Sequence, residues 1–225
     1  MQGLTAYNLK IIAEVFGGKA YPLTLLKLLG ESPLIVDLGA NIGSFSLACH
    51  TLHPDTRLVA VEPDPENFIA LKANLISVTA ELHQAALSDK NGLLDLFFGA
   101  QDAVANSIFP GKMVTHSRSV TVQGIETKCF LEDITQRHGK ISLLKSDTEG
   151  GEWHLLTLPD DFLSAIPAIF LEYHSSAFLQ DFLTRLLPSH VIYSGTIRFP
   201  HRGEIALLRK DLVPDEQASY EISPR

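Results

Sequence analysis

Residues 143–153, LLKSDTEGGEW, crowd Lys145, Asp147, Glu149 and Glu152 around Gly150 and Gly151. Carboxylates at that density do not belong in a buried strand, because an uncompensated charge in a dry setting is costly. At a strand tip they can bind a polar ligand or take a proton from it, with Lys145 neutralising part of the cluster. Alternate spacing places Lys145, Asp147 and Glu149 on one face. Glu172 and His174, in IFLEYH, alternate in the same way at the end of a second apolar run. They are expected beside the first group as acceptor-handling residues. Glu152 falls near a helix start, where the helix dipole favours a negative charge.

A second constellation lies upstream. VDLGANIGSFS sets Asp37 at the end of an apolar run, with Gly39, Ala40, Asn41 and Gly43 in the turn that follows. Glycines there let a ligand approach bare backbone. Asn41 either contacts that ligand or supplies a left-handed turn residue. The spacing is Asp-x-Gly-x-x-x-Gly, not the Gly-x-Gly-x-x-Gly of dinucleotide binders. Pyrophosphate favours unopposed N–H groups at a helix start, and Asp37 would repel it. An acidic side chain suits a cationic ligand instead. Glu62, followed by Pro63, ends the next apolar run, a position from which a carboxylate accepts hydrogen bonds from ribose hydroxyls. Ala86 and Leu87, in AALSD, fit a wall beside an adenine ring, with Ser88 or Asp89 reaching its polar edge. A nucleoside with a cationic tail describes S-adenosylmethionine.

These residues need a scaffold that brings strand tips together. PLIVDLG, RLVAVEPD, AELHQAAL, KISLLKSD and PAIFLEYH read as buried parallel strands. SFSLACHTL, PENFIALKANLI, FLEDITQRHG, EGGEWHLLTL and SAFLQDFLTRLL read as the helices between them, Asp64 capping the second. HVIYSG and GEIALLRK form an antiparallel pair that closes the sheet. GLLDLFFGA and RSVTVQGIE are two further strands flanking a polar loop. Alternation of this kind predicts a three-layer α/β/α, Rossmann-like domain with a mostly parallel seven-stranded sheet and an antiparallel last strand. Residues 1–32, with helices at 4–16 and in PLTLLKLLG, form a helical cap. Residues 33–210 form the catalytic core of a single domain, and 211–225 form a polar tail.

Composition narrows the function. The 225 residues are 45% apolar, enough for one sizeable core. A formal charge of −8 argues against nucleic acid as a general partner. No apolar run reaches the roughly 20 residues needed to cross a bilayer, and no signal peptide is expected at the N-terminus. Cys49 and Cys129 lie far apart without metal-ligand spacing, so both read as core thiols in a reducing, cytoplasmic setting. Oligomeric state is open.

LIVDLGANIGSFSL, VAVEPDPENFIALKANL, AALSD, LLKSDTEGGEWHLL and IFLEYH, in this order over roughly residues 33–174, together resemble the FkbM-type S-adenosylmethionine-dependent methyltransferases. The Lys-x-Asp-x-Glu-Gly element is the specific part. Ser146 departs from the apolar residue usual at its place. The resemblance implies O-methylation of a small molecule, of sugar or natural-product type. His174 is the first candidate for general base, since an ordinary imidazole titrates near neutrality. Asp147 and Glu149 are the alternatives. A third option is a divalent cation, Mg2+ for instance, held by Asp147, Glu149 and Glu172. Residues 1–32 and 100–123, with Phe97, Phe98, Phe109, His116 and Arg118, are expected to form lid and acceptor wall. His83 reads as structural, His50, His53, His138 and His154 as surface residues, and Trp153 as packing under the site. A nicotinamide-dependent oxidoreductase and a non-catalytic binding module of the same fold are the rival classes.

Overall fold

The computed structural model describes residues 6–17, 21–99, 116–199 and 201–213. Five parallel strands build the centre: β1 (Leu34–Leu38), β2 (Arg57–Val61), β3 (Ala80–His83), β7 (Leu143–Ser146) and β8 (Ala168–Tyr173). β10 (Arg202–Arg209) runs antiparallel to both β8 and the edge strand β9 (His190–Phe199). The order β3-β2-β1-β7-β8-β10-β9 makes the expected seven-stranded sheet. Every residue of β1, β7 and β8 is buried, as a parallel strand covered on both faces requires.

Helices α2 (Ser44–Leu52), α3 (Pro65–Asn74), α4 (Thr127–His138), α5 (Asp160–Ser164) and α6 (Ser176–Leu186) supply the crossovers, after α1 (Ala6–Phe16) in the N-terminal segment. Asp64 caps α3 by accepting from the Glu66 amide at 2.9 Å, and Ser175 caps α6. Gly139, with φ +87°, ends α4. One face of the sheet packs Leu34, Val36, Leu144 and Ile169 against Leu131, Phe178 and Phe182. The other packs Ile35, Leu143 and Phe170 against Phe45, Tyr21 and Leu25. Val15, Tyr21, Leu25 and Leu26 of the N-terminal segment thus pack on this second face. Among the described residues no helix is long and apolar enough to cross a membrane.

Several elements differ from expectation. AELHQAAL is two strands: β3 stays in the main sheet, while β4 (Ala86–Ser88) joins a separate sheet of order β4-β6-β5. There β5 (Gly92–Gly99) and β6 (His116–Glu126) pair antiparallel, and β4 pairs parallel with residues 124–126. An apolar run cannot announce such a break, since either sheet buries it. PLTLLKLLG and EGGEWHLLTL form 3-10 helices at Leu23–Leu28 and Gly151–Thr157. Pro22 and Gly150 precede these helices without any side-chain cap, and Pro159 follows the second by two residues. Such short segments favour the tighter i→i+3 form. The loop around residues 100–115 and the tail from residue 214 lie outside the described residues.

Candidate active site

Two loops at the carboxyl ends of β1 and β7 form the centre of the site. Beyond β1, the Gly39 and Ala40 amides both donate to the Val61 carbonyl at 2.9 Å, tying the turn to β2. Gly39 has φ +76°, and a Cβ there would stand 1.7 Å from the Asp147 carbonyl oxygen. Only glycine lets the two loops meet. Asn41 takes φ +52°, donates its amide to Glu62 Oε2 at 2.8 Å and accepts from the Ile42 amide at 2.7 Å. It is therefore both turn residue and partner of Glu62. Gly43, at φ +87°, leads into α2 against Leu71.

Asp37 is fully buried, and its carboxylate lies against other side chains of the same chain. Lys145 Nζ lies 3.0 Å from Oδ1, and the Ser46 hydroxyl donates to Oδ2 at 2.7 Å. Lys145 also donates to the Gly39 carbonyl at 2.6 Å. A buried carboxylate must find a partner, and here Lys145 stands where the reading from sequence put a ligand's ammonium. Asp37 instead sets the position of Lys145, which holds the glycine loop. Burial would lower the Lys145 pKa, but Asp37 and Asp147 together with Glu62 outweigh it and raise it.

Glu62 is buried, with Oε1 accepting from the Asp64 amide at 3.0 Å and from Asn67 at 3.4 Å. Burial outweighs these bonds and pushes its pKa up to about 7. A carboxylate has about four lone-pair directions, so one remains for an incoming donor. Pro63 links Glu62 to the cap residue Asp64. Ala86, Leu87 and Ser88 are buried in β4, Leu87 packing beside Gly151, so the third expected loop adjoins the second.

The acid cluster is assembled by register. On β1, β7, β8 and β10, Asp37 pairs with Lys145, Lys145 with Phe170, and Phe170 with Ala206. Two residues further, Asp147, Glu172 and Glu204 follow on the same face, Glu172 and Glu204 as register partners. Glu149 departs from the alternation: β7 ends at Ser146, and Glu149 sits in the turn with φ +48°. It reaches the cluster even so. Its Oε2 lies 3.1 Å from His174 Nε2, and its Oε1 accepts from Arg202 Nη2 at 3.0 Å. Arg202 also grips Glu172 Oε1 from Nε at 2.9 Å and from Nη2 at 2.8 Å. Arg198 pairs with Glu204.

Charge states follow from these contacts. Burial would lower the His174 pKa, but Glu149 and Glu152 outweigh it and hold it at about 10. An imidazole held protonated at neutral pH is a poor proton acceptor, and this charge environment favours Asp147 over His174 as the base. Burial and the neighbouring Glu172 charge raise Asp147 to about 7, against the pull of Lys145. Its carboxylate makes no side-chain hydrogen bond among the described residues and is partly open. The all-oxygen cation site is also altered. Glu172 is taken by Arg202, and the ligand atoms that converge within 4.8 Å belong to Asp147, Glu149 and His174. A nitrogen donor in the set does not suit Mg2+.

Sequence reasoning missed Arg202, which opens β10, 30 residues beyond Glu172 and 53 beyond Glu149, and has no local motif. It missed Ser46 as a ligand of Asp37. It also read Glu152 as a dipole residue, whereas the side chain is buried against His174. His83 bonds Glu81 at 2.6 Å, in keeping with a structural role, and half-buried His138 joins the same carboxylate. Trp153 does not lie under the site. It is exposed at the surface and packs on Phe178.

An open, mostly parallel sheet with a glycine turn after β1 and acids at the tips of β2, β7 and β8 defines a Rossmann-like methyltransferase fold. The chain belongs to the methyltransferase FkbM domain family, whose model matches residues 37–192. It is 35% identical over 103 residues to the 31-O-demethyl-FK506 methyltransferase FkbM of Streptomyces tacrolimicus, covering 45% of this chain and 39% of that protein. It is 29% identical over 180 residues to methyltransferase sdnD of Sordaria araneosa, covering 67% and 68%. The crystal structure of a methyltransferase FkbM from Methylobacillus flagellatus KT shares the fold at a TM-score of 0.53 and 18% identity, over 79% of this chain and 44% of that one. The chain thus spans less than half the length of two of these proteins.

Proposed function

We propose that this domain transfers the methyl group of S-adenosylmethionine to a hydroxyl of a small organic acceptor, of sugar or natural-product type. The observation that carries the reading is the contact of the two loops at Gly39 and Asp147. With β2, β1, β7 and β8 side by side, that contact leaves Asp147, which makes no side-chain hydrogen bond among the described residues, between Glu62 and the Glu149–Glu172–Arg202 cluster, and this supports the reading. The residues fit such a cofactor: Glu62 keeps a free lone pair beside the β1 turn, and the Asp147 carboxylate makes no side-chain hydrogen bond among the described residues. The relative from Streptomyces tacrolimicus, by its name an O-methyltransferase of a natural product, supports the choice of acceptor.

The cofactor, when bound, supplies an already activated methyl group. The chain's task is alignment, exclusion of water and removal of one proton. Glu62 accepts from a ribose hydroxyl. Lys145 holds the glycine turn in place through the Gly39 carbonyl. Asp147 takes the proton of the acceptor hydroxyl as its oxygen attacks, a role suited to a base that titrates near working pH. Arg202 holds Glu149 and Glu172 in place around the acceptor. No nucleic acid, membrane or resident Mg2+ is required in this reading, and a cytoplasmic setting accords with it.

Isothermal titration with S-adenosylhomocysteine, followed by transfer of radiolabelled methyl from S-adenosylmethionine to a panel of hydroxylated acceptors, tests the proposal. Micromolar binding with acceptor-dependent labelling is expected. Absence of binding at millimolar ligand would overturn it.

A further inference from the structure

His174 follows the last residue of β8, and the two edges of its ring are treated differently. Nδ1 lies 3.2 Å from Oε1 of the fully buried Glu152, which also accepts from the His174 amide at 2.8 Å. Nε2, on the other edge, is buried and makes no hydrogen bond among the described residues. A ring with one nitrogen on a carboxylate and the other bare is the arrangement of a metal-binding histidine, because the outer partner fixes the ring and the tautomer that frees the ligating nitrogen.

The bare nitrogen faces two more donors. One ligand atom each of Asp147, Glu149 and His174 lie within 4.8 Å of one another. Two ligands about 2.1 Å from a shared ion stand about 3.0–3.4 Å apart at octahedral or tetrahedral angles. Nε2 lies 3.1 Å from Glu149 Oε2, within that range. Asp147 makes no side-chain hydrogen bond among the described residues, and Glu149 gives Oε1 to Arg202 while its Oε2 stays toward His174. The turn after β7 supplies both acids and the tip of β8 the imidazole, and the pairing of these two strands holds the donors together.

Charge favours a cation here. Asp147, Glu149, Glu152 and Glu172 gather around the ring, whereas Lys145 is given over to Asp37. Arg202, the nearby guanidinium, engages Oε1 of Glu149 and Oε1 of Glu172. A second positive charge can therefore meet Asp147 and Glu149 Oε2. A proton on Nε2 fills the same place, and an entering ion displaces it.

We propose that Asp147, Glu149 and His174 bind one divalent first-row transition-metal ion such as Mn2+, with Glu152 as the outer partner that orients His174. Two carboxylate oxygens and one imidazole nitrogen suit such ions, whereas Mg2+ calls for oxygen ligands. Three protein ligands leave coordination positions for water or a substrate oxygen. Binding of the ion does not rest on the methyl-transfer reading; its consequence for that reaction does. A hydroxyl on the ion gives up its proton more readily, and Asp147, coordinating through one oxygen, keeps the other to receive it.

Titration of the chelator-treated protein with Mn2+, followed by electron paramagnetic resonance, tests this. One bound ion per chain is expected, with hyperfine coupling to an imidazole nitrogen. Absence of binding at millimolar Mn2+, or a bound ion without that coupling, overturns the proposal without any variant. His174→Gln and Glu149→Gln, each checked for folding by circular dichroism, are expected to weaken binding at least about tenfold. Glu81→Gln, which breaks the separate cluster of Glu81 with His83 and His138, is expected to leave binding unchanged. Wild-type affinity in folded His174→Gln overturns the site, as does loss of binding in Glu81→Gln. Excess Mg2+ is expected to displace little of the bound Mn2+, and full displacement would overturn the nitrogen ligand. S-adenosylhomocysteine calorimetry on the same samples separates the two readings. Cofactor binding without metal binding refutes the metal site alone, whereas metal binding without cofactor binding supports the site and refutes the methyltransferase reading.

Discussion

Lys145 Nζ lies 3.0 Å from Asp37 Oδ1, across neighbouring strands in the same register, and both side chains are out of contact with water. The same ammonium donates to the Gly39 carbonyl at 2.6 Å, so a buried ion pair and the turn after β1 share one atom. Lys145→Met leaves Asp37 charged and unpaired in the core. The expected loss is about 3–5 kcal/mol of stability, measured by urea unfolding. The double variant Asp37→Asn, Lys145→Met is expected to lose less than Lys145→Met alone, because no charge is then stranded. Equal midpoints for wild type and Lys145→Met would refute the pairing.

Gly39→Ala tests the contact between the two loops. The new Cβ meets the Asp147 carbonyl at 1.7 Å in a backbone region that L-residues avoid at a cost of roughly 1–2 kcal/mol. One loop must move. Affinity for S-adenosylhomocysteine is expected to fall at least about tenfold, with a destabilisation of about 2 kcal/mol or more. Calorimetry and thermal unfolding measure the two, and wild-type values in both would show that the loops do not need to touch.

Glu62 makes binding depend on pH. Its pKa in the folded protein, about 7, lies above the ordinary value of 4.5. Its contribution to stability is therefore present below pH 4.5 and lost as pH rises through 7. Ribose hydroxyls donate best to the ionised form, so S-adenosylhomocysteine affinity is expected to rise between pH 6 and 8. Glu62→Gln is expected to remove that slope and weaken binding by about 10-fold to 100-fold, as loss of a hydrogen bond to a charged group implies. Calorimetry at three pH values checks both, and a flat wild-type profile counts against the assignment.

Asp147→Asn is expected to reduce kcat by about 10²–10⁴, the usual contribution of a general base. Affinity for S-adenosylhomocysteine is expected to change by no more than a few fold. The acid limb of the wild-type rate profile, centred near pH 7, is expected to disappear in the variant. Retention of that limb would assign the titration to another group.

Much of the scaffold was readable because its causes are local. Runs such as LIVDL and AIFLEY can satisfy their periodicity only as strands buried on both faces, and the seven-stranded order follows from helices alternating between them. The helix cap at Asp64 and the αL glycine at Gly39 are likewise properties of a few adjacent residues. AELHQAAL was misread because burial in either of two sheets demands the same apolar residues. Trp153 was misplaced because a 3-10 turn points its side chains differently from the helix expected there.

By itself the chain's sequence determined the sheet, the two acid-bearing strand tips and the glycine turn, because hydrophobic period and backbone freedom are written residue by residue. Tertiary structure decided how the charges are shared. Lys145 neutralises Asp37, Arg202 arrives from β10 to take Glu149 and Glu172, and Glu152 meets His174 across 22 positions. Pairing energies depend on distance and burial in space, and these are set only when separate strands come into register. That is why His174 meets Glu149 and Glu152, which its own segment does not supply.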